Sequence, residues 1–332
     1  MGLTFSSIPQ LSIVVAIYNG EKFLYQFFNG LKSIKLDDWE LILVNDGSKD
    51  NSLKILQEWK DRFPNVTIID QENQGVSVAR NIGFNISKGQ YIVFPDIDDV
   101  IHSNMYDRML NIAKNDDLDI LTCNGNYVYA DGRPSRPIFP SSRLHSTDVL
   151  TGPQWLKMAL NSKKFLHVTW LNMYRREFLL AHGYYFEPGL HHQDIPWTTE
   201  VLLTAKRVKY IDERYYDYFI HSESISHTTP NDTIHVRTIR NYMKILEMLD
   251  AINQKHKEVA KNINACYWQI AKEGLGIIHS INSIQSIEVK KQIVKEFFDR
   301  GIWLLIWKNA KNFRLRWRLG RRYFKLKKIL NS

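Results

Sequence analysis

Cysteine is scarce. The 332-residue chain has two, Cys123 and Cys266, each in apolar sequence and without a CxxC pair or a partner at metal-ligand spacing. A disulfide scaffold and a cysteine-rich zinc site are excluded, and a reducing, cytoplasmic compartment fits. Long apolar runs are also missing. The longest candidate, "GIWLLIW" at 301–307, is far short of the ~20 residues that a spanning helix needs. The opening "MGLTFSSIPQLSIVV" has no basic segment leading into a long apolar stretch, so no secretory signal is expected. There is no Walker A loop, and no GxGxxG follows the first apolar run. An NTPase and a dinucleotide dehydrogenase are therefore disfavoured.

What is present describes a globular protein. Hydrophobic residues make up 44% and charged residues 24%, a balance that supports a sizeable core and argues against disorder. The net charge of +9 is a local feature. Residues 308–328 hold ten Lys/Arg and no acid, which leaves the rest of the chain about neutral. In "NFRLRWRLGRRYFKLKKIL" the spacing of Phe313, Trp317, Gly320 and Phe324 marks one helical face among arginines and lysines. A basic amphipathic helix with Trp and Phe suits an anionic lipid surface. The same pattern also fits a helix packed on the body with a solvated basic face. A nucleic-acid partner is not expected, because the body carries no recognisable reader module.

Along the chain, "LSIVVAI", "WELILVND", "NVTIID", "GQYIVFPD" and "LDILTCNGNYVY" read as strands. They alternate with helical patterns such as "GEKFLYQFFNGLKSI" and "NMYDRMLNIAKNDD". Short-looped β-α alternation predicts an α/β domain with a mostly parallel sheet covered on both faces. "ADGRPSRPIFPSS" reads as a loop. "GPQWLKMALNS" reads as a short helix with Pro153 in its first turn. From residue 232 onward the pattern is helical. The expected division is an α/β domain at 1–230, with regular alternation over 1–130 and weaker alternation over 131–230. A helical region at 231–332 follows, with its basic tail at 308–330.

In open α/β sheets ligands bind beyond the carboxyl ends of the strands. Two strands end there in acid, at "LILVNDGS" and "YIVFPDIDD". Asp46, before Gly47, can accept a hydrogen bond from a nucleobase or close an Asx turn. Arg80 can reach a phosphate or serve as a salt-bridge partner. Asp96 and Asp98 alternate in extended chain and can point to one side. Such oxygen ligands suit Mg²⁺ or Mn²⁺. Asp99 is the least defined of the three and can cap or orient the loop. In "GLHHQDIPWTTEVLL", Asp194 reads either as a general base or as an acid stabilised at a helix N-terminus. His191 and His192 before it can meet an acceptor or cap that helix.

In combination, "SIVVAIYN", "ELILVNDGSKDNS" and "NQGVSVARNIGFNISKGQYIVFPDIDD" resemble the inverting family 2 glycosyltransferases of GT-A fold. That resemblance implies that Tyr18 and Asp46 line a uracil pocket, that Arg80 lies near the nucleotide, and that Asp96 contacts the ribose side. It gives Asp98 to the metal, Mn²⁺ or Mg²⁺, and Asp194 to the role of base. His221, in "YDYFIHSESISH", matches a position that ligates metal or diphosphate in some members, and His227 is a weaker candidate. The departures are Ala16 for a usual Pro, Ile97 for a small residue, Gln193 for a Glu and Phe219 for an Arg. Processive synthases of similar domain carry transmembrane helices and a QxxRW motif, and both are absent here. A nucleotidyltransferase would need a glycine-rich basic loop where "AIYNGEKFL" stands.

"LHSTDVLTGPQWLKMALNSKKFLHVTWLNMYRREFL" resembles a bacterial subgroup that extends the lipopolysaccharide core, glucuronosyltransferases included. The implied donor is a UDP-sugar. The implied acceptor is lipopolysaccharide or another lipid-linked saccharide, at the inner face of the bacterial inner membrane. A capsule, O-antigen or teichoic-acid intermediate is the alternative acceptor. An inactive membrane scaffold is a more distant reading.

Overall fold

The computed structural model describes residues 8–220 and 231–331. Its first part runs β1 (Leu11–Ile17), α1 (Glu21–Leu31), β2 (Trp39–Asp46), α2 (Ser52–Trp59), β3 (Val66–Gln71), α3 (Val76–Ile86) and β4 (Tyr91–Val93). There follow β5 (Val100–Ile101), α4 (Met105–Asn115), β6 (Ile120–Tyr129), β7 (Arg136–Pro137), α5 (Gly152–Asn161) and β8 (Asn172–Arg175). The part closes with α6 (Arg176–His182), α7 (Asp194–Thr204) and β9 (Val208–Ile220). One sheet joins the strands in the order β3-β2-β1-β4-β8-β6-β9-β5, with β7 on the side of β6.

β1 and β2 are apolar along almost their whole length because helices cover both faces of the sheet, and both are buried throughout apart from partly buried Ala16. They pair in parallel from Leu11 opposite Trp39 to Ile17 opposite Asn45. α3 lies close over them. A Cβ added at Gly83 would stand 2.4 Å from Val14 Cγ1, so the missing side chain is what brings this helix, and Arg80 one turn earlier, down onto the sheet. α5 begins with a capping box between Thr151 and Gln154, with Pro153 in its first turn.

The sheet is mixed, not parallel throughout. β8 runs antiparallel to both β4 and β6, and β5 runs antiparallel to β9. The reversal lets the chain between β6 and β9 fold back over the strand ends, which carries α7 to the same rim as the acidic loop after β4.

The second part is helical: α8 (Asp232–Lys255), α9 (Lys257–Ala260), α10 (Asn264–Ser283), α11 (Ile287–Asp299), α12 (Ile302–Asn309) and α13 (Phe313–Asn331). It has its own apolar core, in which Leu246, Ile270, Ile278, Phe297, Ile306 and Leu319 meet. α10 packs against α5, and α8 against α7, so the helices border the sheet domain at the site-bearing rim. α13 is apolar on two sides. Leu315, Leu319 and Leu326 are buried against the bundle, while Phe313, Trp317 and Phe324 are 85%, 54% and 74% exposed. No helix of the described residues is long and apolar enough to cross a membrane.

Candidate active site

The rim begins where β1 and β2 end. Tyr18, directly after β1, is 52% exposed there. Its loop is tied to the one after β2, since the Asn19 N–H donates to Ser48 Oγ at 3.0 Å and the Lys49 N–H to Asn19 Oδ1 at 2.8 Å. Gly47 makes the turn at φ +69, and a Cβ on it would lie 2.7 Å from Asn73 N. Asp46 is buried and shapes the neighbouring loop. Oδ1 accepts from Gln71 Nε2 at 2.7 Å and the Gln74 N–H at 2.8 Å, and Oδ2 accepts from the Gly75 N–H at 2.8 Å. A carboxylate has about four acceptor positions, so Oδ2 has one unfilled.

Arg80 is buried, unlike a surface salt-bridge partner. Its Nη2 donates to Asp96 Oδ1 at 2.6 Å. The Gln193 amide, oriented so that both its ends are satisfied, accepts from Arg80 Nη1 at 3.0 Å and donates to the Leu190 carbonyl at 3.0 Å. Gln193 thus holds the same guanidinium as Asp96 does, and it links α3 to the start of α7. Two elements far apart in sequence are fastened through one cation.

The Asp96 backbone N–H donates to the Tyr216 hydroxyl of β9 at 3.2 Å. Asp98 is partly exposed. Asp99 is buried, and its Oδ1 accepts from the Phe219 N–H at 3.1 Å, which anchors the loop to β9. Its Oδ2 makes no hydrogen bond of good geometry among the described residues, although the Tyr216 hydroxyl lies near enough to the carboxyl to favour its charged form. Burial, followed by the charges of Asp98 and Asp96, pushes its carboxyl well above the usual range. An acidic loop with an orphaned buried oxygen fits a divalent cation nearby. Among the described residues no three His, Cys, Asp or Glu side chains cluster closely enough to hold a metal by themselves. A cation here would need water and phosphate oxygens as further ligands. His221 and His227 lie outside the described residues.

Asp194 is the first residue of α7 and faces the same cleft as Asp96. The helix N-terminus and Arg80 favour its charged form, but burial outweighs them, and Asp96 adds repulsion. Its carboxyl is pushed up to about 7, the range in which a carboxylate can take a proton near neutral pH. His192 lines the cleft as well, its ring 5.4 Å from that of Tyr242. His191 faces a separate groove beside α8. Neither histidine caps α7, whose N-cap position is Gln193.

The cleft measures about 440 Å³. Several of its residues escaped the reading from sequence. Trp170 stacks on Tyr216 at 4.5 Å and on Tyr218 at 5.4 Å. The alternation of Tyr216 and Tyr218 on one face of a strand was the available signal. His167 is partly buried, its pKa brought down to about 3 by desolvation and then by Lys272; it offered no motif.

The sequence pattern of Glycosyl transferase family 2 matches residues 12–179, and that of the C-terminal domain of glycosyltransferase YibD matches residues 233–329. The uncharacterized glycosyltransferase YibD of Escherichia coli (strain K12) is 32% identical over 313 residues, covering 93% of this chain and 90% of that protein. S. aureus TarS 1-349, solved in complex with UDP, superposes with a TM-score of 0.71 at 18% identity, covering 97% of this chain and 89% of that one. The mannosyltransferase PcManGT from Pyrobaculum calidifontis, solved in complex with GDP-Man and Mn²⁺, gives 0.51 at 13% identity over 97% and 86%. The fold is GT-A, as the sequence motifs implied. With the family pattern running from β1 through α6 and a relative aligned over nearly its full length, the chain belongs to glycosyl transferase family 2 and is a glycosyltransferase.

Proposed function

We propose that this enzyme moves a sugar from a UDP-sugar to a lipid-linked saccharide with inversion at the anomeric carbon. The reaction serves lipopolysaccharide core or surface-polysaccharide synthesis at the inner face of the bacterial inner membrane. The observation that carries this reading is Asp194, whose carboxyl desolvation pushes up to about 7, in one cleft with Asp96 of the acidic loop.

The roles follow from the surroundings of each residue. Tyr18 offers an exposed ring for the uracil, and Asp46 holds the 71–75 loop and keeps one acceptor position for a base N–H. Arg80 fixes Asp96, which meets the ribose side. Asp98, with His221, would hold Mn²⁺ or Mg²⁺. The cation would balance the charge of the leaving diphosphate and of the acidic loop. Asp194 takes the proton of the acceptor hydroxyl as that oxygen bonds to the anomeric carbon. The bond from that carbon to the diphosphate oxygen breaks on the opposite side, and its electron pair leaves with UDP.

The exposed face of α13 supports a membrane-bound acceptor. Phe313, Trp317 and Phe324, with Leu304 and Trp307 of α12, are exposed beside a run of basic residues. Each Lys or Arg near an anionic surface contributes ~1 kcal/mol. The test of the catalytic reading is Asp194→Asn. The variant should bind UDP as the wild type does and lose transfer in a UDP-release screen with core-truncated lipopolysaccharide as acceptor. Retained transfer would remove Asp194 as the base.

A further inference from the structure

We infer that the C-terminal helices form one wall of an acceptor subsite that selects a saccharide bearing a phosphate or carboxylate group. The inference rests on the reading of Asp194 as the base. It adds the identity of the wall and the charge of the ligand.

The cleft beside Asp194 is shared between the two parts of the chain. On one side stand Tyr218 and the edge of Trp170, which is stacked on Tyr218 and on fully buried Tyr216 behind it. On the other stand Tyr242 of α8 and Trp268 of α10. At about 440 Å³ the space is of small-molecule size. Aromatic walls of this kind fit the C–H faces of a sugar ring and leave its hydroxyls for polar groups.

Charge narrows the ligand. Two lysines line the cleft, Lys163 just past α5 and Lys272 of α10, together with three carboxylates, Glu273, Asp194 and the Asp96 that Arg80 neutralises. Lys163 has no carboxylate partner among the described residues. Lys272 reaches Glu273 at 3.2 Å, with its ammonium 5.7 Å from the Trp268 ring. That pair is exposed enough to be worth little, so an incoming anion can take over the lysine. Arg80, by contrast, is already occupied by Asp96 and Gln193. Among the described residues that line the cleft, the lysines are therefore the cations left for an acceptor anion.

The wall is fastened to the base by a partly buried chain of hydrogen bonds. Gln269 Nε2 donates to His167 Nε2 at 2.8 Å, which leaves Nδ1 as the N–H donor to Thr198 Oγ1 at 2.7 Å. Thr198 in turn donates to the Asp194 carbonyl at 2.7 Å. α10 and the first turn of α7 are thus held in one geometry, so a sugar resting on Trp268 and Lys272 meets Asp194 at a fixed position.

The test is saturation-transfer NMR on the full chain with three matched probes: glucose, glucose 6-phosphate and glucuronate. One or both of the anionic sugars should be saturated several-fold more than glucose, and the two arms separate phosphate from carboxylate recognition. The Lys163→Met/Lys272→Met double variant should lose that excess while keeping its unfolding temperature and its UDP-induced shift. Trp268→Ala should weaken saturation of every probe that binds. Equal saturation of glucose, no saturation of any probe, or an excess that survives the double variant would overturn the charge selection. Full binding by Trp268→Ala would remove the C-terminal wall. If anionic sugars bind as expected while Asp194→Asn retains transfer, the base assignment falls and the subsite stands.

Discussion

Replacing Asp194 by asparagine should stabilise the protein at alkaline pH while abolishing transfer. The carboxyl sits at about 7 in the fold against an ordinary value of 3.8. The folded state therefore holds this proton more tightly than the unfolded chain does. Between roughly pH 4 and pH 7 the fold binds more protons, so the stability contributed by this group falls as pH rises through that window. Above it, the ionised carboxylate carries a constant penalty. At ~1.4 kcal/mol per unit, the full shift corresponds to an upper bound of about 4 kcal/mol. Asp194 is only partly buried, so solvent screening reduces this to about 1–2 kcal/mol. The groups that face it are Arg80 of α3, Asp96 of the acidic loop, Tyr174 of β8 and Tyr242 of α8. Of these, Arg80 and Asp96 act in opposite directions on its charge. Thermal unfolding of both proteins at pH 5, 6, 7 and 8 reads the effect. The amide of the Asp194→Asn variant cannot ionise, so that variant should unfold a few degrees higher at pH 8, and the gap should close toward pH 5. A gap independent of pH, or a variant less stable at pH 8, would refute the reasoning.

Two other perturbations probe the fastening of the site and the role of the tail. Arg80→Met strips Asp96 and Gln193 of their shared cation and should destabilise by about 3 kcal/mol, the low end for a broken buried pair, because Asp96 keeps 36% of its side chain exposed. The same variant removes a charge that holds the Asp194 carboxyl down, so the alkaline rise of transfer should move to higher pH in a pH–rate profile. The triple variant Phe313→Ala/Trp317→Ala/Phe324→Ala should lose most binding to anionic vesicles in a sedimentation assay without a change in unfolding temperature. Leu319→Ala, on the buried side of α13, should instead cost about 2–5 kcal/mol of stability.

The sheet strands with unbroken apolar runs were legible. "LSIVVAI" and "WELILVND" announce β1 and β2 residue for residue, because a strand buried on both faces needs no polar alternation. β8 escaped notice, since four residues with Asn and Arg at the ends carry no period. β9 hid its strand character for another reason. It carries Asp212, Glu213, Arg214 and Asp217, and its pairing with β6 is interrupted by two register shifts. The direction of β8 depends on tertiary packing and leaves no local trace.

The acids were conspicuous as residue types, and their environment was not. Asp96 and Arg80 are 16 positions apart and meet only because α3 lies down on the sheet at Gly83. The rise of the Asp194 carboxyl comes from burial, which is a property of the assembled cleft. His167 and Gln269 are 102 positions apart and meet between the two parts of the chain. The basic tail also looked simpler in sequence than in the fold. Its aromatic face was visible, but the second apolar side that docks α13 on the bundle was not.

The most direct measurement is the thermal shift produced by UDP with Mn²⁺, UDP alone and Mn²⁺ alone, on the wild type and on Asp98→Ala. A ligand at a hundred times its Kd stabilises a fold by about 2.7 kcal/mol. A metal-dependent nucleotide site predicts a shift of several degrees for UDP with Mn²⁺ in the wild type, and a much smaller one for UDP alone or after Asp98→Ala. No shift for UDP with Mn²⁺, or the same shift in both proteins, would contradict a donor site built on the acidic loop.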